Sequence, residues 1–163
     1  MEIRQAHYED LDSIMDIYEQ ARRFMRQQGN LDQWNNGYPQ RALMEQDIRC
    51  NNCYVCILDG KLVGVFCYFQ EPDPTYAQIY EGSWLNDAPY GVIHRIATTC
   101  HRHGIANACY EFALRKCPNL RVDTHHDNRP MQRSLEKFGF RYCGIIHLAN
   151  GDPRIAYQIT RSK

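Results

Sequence analysis

Residues 90–106 read Tyr90-Gly-Val-Ile-His-Arg-Ile-Ala-Thr-Thr-Cys-His-Arg-His-Gly-Ile-Ala106. The stretch from Tyr90 to Ala97 is rich in β-formers and reads as a strand. From about His103 the pattern changes: Ile105, Ala108, Cys109 and Phe112 fall on one helical stripe that Pro118 ends. Between them lies a polar turn closing on Gly104. A strand, a polar turn, a glycine and a helix direct free backbone N–H groups and the positive helix end at one spot. That is an anion site, and phosphates are its usual occupants. Gly104 would let a ligand approach the backbone closely. A plain helix start with Gly in its first turn is the simpler reading of the same residues. Positions 88–110 hold no Asp or Glu, although His94, Arg95, His101, Arg102 and His103 are among them.

Working outward, Leu120–His125 reads as a second strand and 128–138 as a helix burying Met131, Leu135 and Phe138. A closing hairpin turns at Asn150-Gly151. On the N-terminal side, Cys53–Leu58 and Lys61–Phe69 form a hairpin around Asp59-Gly60, a strong turn signal. Pro72 and Pro74 interrupt the sheet. Residues 2–6 read as a short strand. From Tyr8 to about Gln28, Leu11, Ile14, Met15 and Tyr18 mark an amphipathic helix that stops at Gly29-Asn30. Residues 30–39 are a loop, and Pro39 suits the first turn of a helix over about 40–50. This order predicts one α/β (α+β) domain over 1–163, with a mixed central sheet of about 6–7 strands, about four flanking helices and a βαβ unit near its middle.

Composition agrees. The chain has 163 residues, 44% hydrophobic, with 19 basic and 19 acidic side chains. Length and apolar content fit one packed domain. Zero net charge gives no sign of a nucleic-acid or anionic-membrane binder. No apolar run reaches the length of a membrane span. The 8 cysteines fall short of a disulfide scaffold. The start has no apolar run behind a basic end, so reduced thiols in a cytoplasmic protein are expected.

Two blocks carry a resemblance. His101-x-x-Gly104-x-Ala106 is similar to the Arg/Gln-x-x-Gly-x-Gly/Ala signature of the GNAT superfamily of acyl-CoA N-acetyltransferases. Asn128-x-x-Met131 with Leu135-Glu-Lys-Phe-Gly-Phe140 resembles that family's Asn-x-x-Ala…Tyr-x-x-x-Gly-Phe helix and following strand. The blocks cover about 90–142, and the order of elements extends the fit over nearly the whole chain. The resemblance implies acetyl-CoA as co-substrate and no metal. Its pyrophosphate would rest on the amides of Arg102, His103, Gly104, Ile105, Ala106 and Asn107. The strand end at Ile96, Ala97 and Thr98 would hold the pantetheine and polarise the thioester carbonyl, and Asn128 would touch the pantetheine arm. Trp34, Tyr38, Tyr80, Trp84 and Tyr90 lie in segments that line the acceptor side of similar proteins. Leu135 stands where many relatives carry the Tyr that protonates the departing thiolate. A thiol of pKa near ~8.5 is a tolerable leaving group without it.

The implied reaction is acetyl transfer to a primary amine, of a small molecule or a peptide, by direct attack. Such an amine must lose a proton. Strand periodicity places Tyr90, Val92, His94 and Ile96 on one face, and His94 is a candidate base because imidazole titrates near neutrality. A hydrogen-bonded core histidine is its alternative reading. Asp123 and His125 share a face at the carboxyl end of the second strand, where open α/β sheets bind ligands. An Asp-oriented His would serve as base; a polar strand end with Asp127 or Asn128 as helix cap is the plainer account.

Rival chemistries are weaker. Cys50-x-x-Cys53-x-x-Cys56 with His101 and His103 suggests metal, but residues 53 and 56 fall on opposite strand faces and no second pair follows at zinc spacing. Cys100 beside His101 could be a nucleophile, yet chain-adjacent residues rarely align as nucleophile and base. A non-catalytic acyl-CoA sensor or interaction module is the reading from another class. Homodimer formation is left open.

Overall fold

Along the chain run β1 (Glu2–Gln5), α1 (Leu11–Gln27), α2 (Arg41–Arg49), β2 (Cys53–Leu58), β3 (Lys61–Phe69), β4 (Gly91–Thr98), α3 (Ile105–Lys116), β5 (Asn119–Thr124), α4 (Arg129–Phe138), β6 (Arg141–His147) and β7 (Pro153–Thr160). They are seen in a computed structural model that describes residues 1–99 and 104–162. Short 3-10 turns occupy Tyr8–Asp10 and Pro74–Tyr76. The strands form one seven-stranded mixed sheet in the order β1-β2-β3-β4-β5-β7-β6. The expected α/β architecture is therefore the one present.

Local chemistry explains most boundaries. The β2–β3 hairpin turns on Asp59 and Gly60, both at positive φ (52° and 76°), the twist a two-residue loop requires. Helix α1 ends in a Schellman motif. The N–H of Gly29 donates to Arg26 O at 3.1 Å and that of Asn30 to Met25 O at 2.9 Å, with Gly29 at φ 84°. Helix α4 starts on Asn128, whose side chain accepts the Met131 N–H. Pro39 precedes the α2 cap residue Gln40 instead of entering the helix, which corrects the expected first turn.

The sheet is covered on both faces. One core, between the sheet and α3 and α4, contains Phe66, Ile93, Tyr110, Leu120, Leu135 and Tyr157. A second, under α1 and α2, contains Ile14, Tyr18, Met44, Val65 and Cys67. A smaller cluster of Tyr76, Val92, Ile146 and Ala156 lies under the far half of the sheet. Cys53 belongs to the second core and Cys56 to the first, where its Sγ sits 3.5 Å from Cys109 Sγ. Cys53 and Cys56 are thus split between two faces and pack as small apolar groups, while Cys50 is exposed.

Two irregularities place the site. First, the only parallel neighbours among the described residues, β4 and β5, pair through Gly91↔Leu120 and Val92↔Arg121. Beyond Val92 they separate, so β4 is laddered to β3 alone. Second, β4 carries a bulge. Val65 pairs with Ala97 but Cys67 pairs with His94, leaving one extra residue on β4, and Arg95 takes φ 53°. The bulge breaks strict alternation. Ile93 and Ile96 both pack on the α3 side, while Ala97 packs on the α1 side. Ile96 therefore does not share a face with Val92 and His94, contrary to the periodicity argument.

Candidate active site in the cleft between β4 and β5

Where β4 and β5 part, a cleft of about 530 Å³ opens. Ile93, His94, Arg95 and Ile96 line it from β4, Val122 and Asp123 from β5, and Asn128 and Met131 from α4. Trp34, Tyr38 and their neighbours in the loop after α1 close one end, and the β6–β7 turn closes another.

His94 is the centre of its polar chemistry. Its Nε2 lies 2.8 Å from Asp73 Oδ2. The other Asp73 oxygen accepts the Thr75 N–H at 2.9 Å and the Thr75 hydroxyl at 2.7 Å. Burial opposes ionisation of Asp73, but His94 and Thr75 outweigh it and hold the carboxyl at about 2. An ionised Asp73 can only accept, so Nε2 of His94 carries a proton, and the neutral ring then has its lone pair on Nδ1. Phe69 and Tyr76 flank the imidazole at 5.8 and 6.2 Å. Asp73 lies in the segment between β3 and β4. Its Asp-Pro-Thr sequence signals a turn, but nothing local links it to a histidine 21 residues later.

Asp123 also faces the cleft, where its Oδ1 accepts the Tyr76 hydroxyl at 2.6 Å. The structure does not join it to His125. That imidazole is 5% exposed, and its Nδ1 accepts the Asp127 N–H at 3.0 Å. Burial, helped by the nearby Arg154 and His126 charges, holds His125 below the ordinary histidine range. His125, His126 and Asp127 are the one group with metal-ligand spacing among the described residues, within 4.8 Å, but the His125 Nδ1 lone pair is already engaged.

Arg95, put out of register by the bulge, donates from Nη2 to Asp47 Oδ2 at 2.8 Å and from Nη1 to the Tyr38 hydroxyl at 3.2 Å. Its own carbonyl accepts the Tyr18 hydroxyl at 2.7 Å. A buried ion pair thus ties β4 to α2 and to the Tyr38 loop. Trp34 packs edge-on against Tyr18 at 5.5 Å. Trp84 and Tyr90 lie elsewhere, stacked around the Arg121 guanidinium at 4.2 and 4.1 Å. They are not cleft-lining residues. The Tyr90 hydroxyl supports the site from behind by accepting the Asp73 N–H at 2.9 Å. Tyr80 is exposed and pairs its backbone with Ile145.

At the α3 end, Gly104 caps the helix at φ 88°, and among the described residues no side chain caps the first turn. A Cβ at Gly104 would meet nothing within 4 Å, so the backbone angle, not crowding, demands glycine there. Ile105 is buried core and Ala106 packs against it, while Asn107 is exposed. Ala97 is buried and Thr98 pairs with Gly64. Arg102 and His103, with Cys100 and His101, lie outside the described residues. Asn128 caps α4 and donates from Nδ2 to Gln33 Oε1 at 3.0 Å, stitching the Trp34 loop to the cleft wall. Leu135 is wholly buried and contributes packing alone.

Comparison with known proteins places this geometry. A search of curated proteins finds no match. A GNAT-family acetyltransferase structure from Streptococcus agalactiae 2603 has TM-score 0.91 and 35% identity, covering 99% of this chain and 96% of that one. A GNAT-family acetyltransferase from Listeria monocytogenes 4b F2365 has TM-score 0.71 at 21% identity, covering 98% and 94%. A ribosomal-protein-alanine N-acetyltransferase from Brucella melitensis shares the fold at TM-score 0.63 and 18% identity, covering 99% and 100%. The Acetyltransferase (GNAT) family model matches residues 11–140. With that match spanning most of its length, the chain belongs to the GNAT family of acetyltransferases.

Proposed function

We propose that the protein moves an acetyl group from acetyl-CoA to a primary amine by direct attack, with His94 as the general base. The observation that carries this reading is the His94–Asp73 pair inside the β4–β5 cleft. Nδ1 of His94 is the basic atom and takes the amine proton. Asp73 positions the ring and stabilises the imidazolium that results. The neutral amine attacks the thioester carbonyl carbon, the C–S bond breaks, and the electron pair leaves on sulfur. Position 135 offers no acid, so the thiolate departs without help from that residue.

The chain suits acetyl-CoA in two respects. The edge of β4 beyond Val92 has no β5 partner, and a ligand with amides of its own can complete such an edge. Among the described residues the first-turn amides of α3 have no side-chain cap and can donate to phosphate oxygens. Ile96 to Thr98 and Gly104 to Asn107, with Arg102, His103 and Asn128, are the residues assigned to it. Trp34 and Tyr38 are assigned to the acceptor; Trp84 and Tyr90 are given a supporting role. The test is thiol release from acetyl-CoA with a panel of amines. Release that depends on the amine and on His94 supports the reading. Binding of acetyl-CoA with no release by any amine favours a sensor instead.

A further inference from the structure

Among the described residues, the cleft holds one cation that the fold leaves without a counter-charge. Arg154, near the start of β7, is 9% exposed and lines the cleft. Its one hydrogen bond among the described residues runs from Nη1 to the carbonyl of Pro153 at 2.9 Å. A guanidinium has further N–H donors, and no described carboxylate forms an ion pair with this one. Its nitrogens are not sealed in the interior, as Arg121 Nε is. The remaining donors keep an open side, and Arg154 lines the cleft. A nearly buried cation without a counter-charge is unfavourable unless an anion completes it.

The placement is specific. Ala156 of β7 pairs with Asp123 of β5, which makes Arg154 the diagonal neighbour of Asp123 on one sheet face, roughly 7–8 Å away. Asp123 spends Oδ1 on Tyr76 and keeps Oδ2 for another donor. The other groups near Arg154 are His125, whose charged form is disfavoured by burial and by Arg154 itself, and Asp152, exposed on the β6–β7 turn. We propose that Arg154 binds an acidic group of the acceptor, so that the substrate is a small amine bearing a carboxylate or phosphate, its amine end directed to Asp123 and His94. This rests on the acetyl-transfer reading for the reaction, though not for the recognition. A polycation is the competing class, since Asp32, Asp73, Asp123 and Asp152 also line the cleft. Asp73 is fully engaged, however, and Asp32 and Asp152 are exposed and screened. Arg154, being buried, weighs more.

The test compares free α- and ω-amino acids and aminoalkyl phosphates with their carboxamides, decarboxylated amines and diamines. Calorimetric binding and thiol release are read for the wild type, Arg154→Gln and Arg154→Lys. Wild type should favour acid-bearing acceptors over matched neutral ones by at least about tenfold in Kd and kcat/KM. Arg154→Gln should erase that preference mainly through KM, and Arg154→Lys should restore part of it. The carboxylate and phosphate arms distinguish the acidic groups. Equal use of acids and amides, no binding of any acid-bearing probe, or a preference for diamines that Arg154→Gln leaves intact would each overturn the proposal. Selective binding of acids without thiol release would retain it while removing the acetyl-transfer reading.

Discussion

His94 and Asp73 are worth more as a pair than either alone, because each fixes the state of the other. Asp73 keeps the imidazole in the tautomer whose free nitrogen is Nδ1, and replacing it by an amide removes that constraint without emptying the space. We expect His94→Ala to lower kcat by at least about tenfold, within the usual worth of a general base. Asp73→Asn should lower kcat by a similar factor with KM little changed, and steady-state thiol-release kinetics with far-UV circular dichroism would check both. The pair also carries a stability signature. The Asp73 carboxyl is held at about 2 against an ordinary 3.8, which corresponds to about 2 kcal/mol. A depressed folded-state value means stability that is present above the unfolded pKa and lost as pH falls through the folded one. The urea stability gap between wild type and Asp73→Asn should therefore be full at pH 6 and shrink between about pH 4 and 2. A gap that stayed constant over that window would show that Asp73 is not held ionised by His94 and Thr75.

Elements differ in how openly the sequence announces them. Asp59-Gly60 announces the β2–β3 hairpin because its turn needs positive φ at both positions, and those residue types tolerate it. Asn128 as helix cap and Gly29 as helix stop are legible for the same local reason. The bulge in β4 is not, since nothing about an arginine signals φ 53°; the Arg95 that sits in it bonds Asp47, 48 residues earlier. His94 was readable as a candidate, but its partner Asp73 was hidden in a proline-rich connection, and Asp123 turns to Tyr76 instead of His125. Those pairings depend on long-range packing, which no window of sequence contains. The bulge can be tested through its anchor. Asp47→Ala leaves the Arg95 guanidinium buried and unpaired, a change that costs about 3–5 kcal/mol at comparable sites. It should also raise the acceptor KM, because Tyr38 loses the arginine that orients it. At α4, Asn128→Ala should cost about 1 kcal/mol for the lost cap and weaken binding through the lost Gln33 contact.

At the scale of the whole molecule, the described strands are laddered continuously except where β4 leaves β5, and His94, Asp123 and Asn128 line that gap. A sheet interior that gives up paired edges loses favourable ladder contacts unless a ligand replaces them, so ligand binding and fold stability should be coupled there. A ligand that binds only the folded state adds RT ln(1 + [L]/Kd), about 2.7 kcal/mol at a hundredfold excess over Kd. Acetyl-CoA should therefore raise Tm in proportion to the logarithm of its concentration. Two glycines separate this effect from general strain. Gly104 starts α3 at φ 88°, and Gly60 closes the β2–β3 turn at φ 76°. At both, an added Cβ would meet nothing within 4 Å, so alanine costs only the left-handed backbone penalty, about 1–2 kcal/mol in each case. Gly104→Ala and Gly60→Ala should then lower the ligand-free Tm to a similar extent. Only Gly104→Ala should shrink the acetyl-CoA shift, because only there does the relaxed backbone re-aim amides assigned to phosphate. With acetylated pantetheine, which lacks the pyrophosphate, the two variants should shift alike. Equal shifts with acetyl-CoA as well would move the phosphate site away from the start of α3.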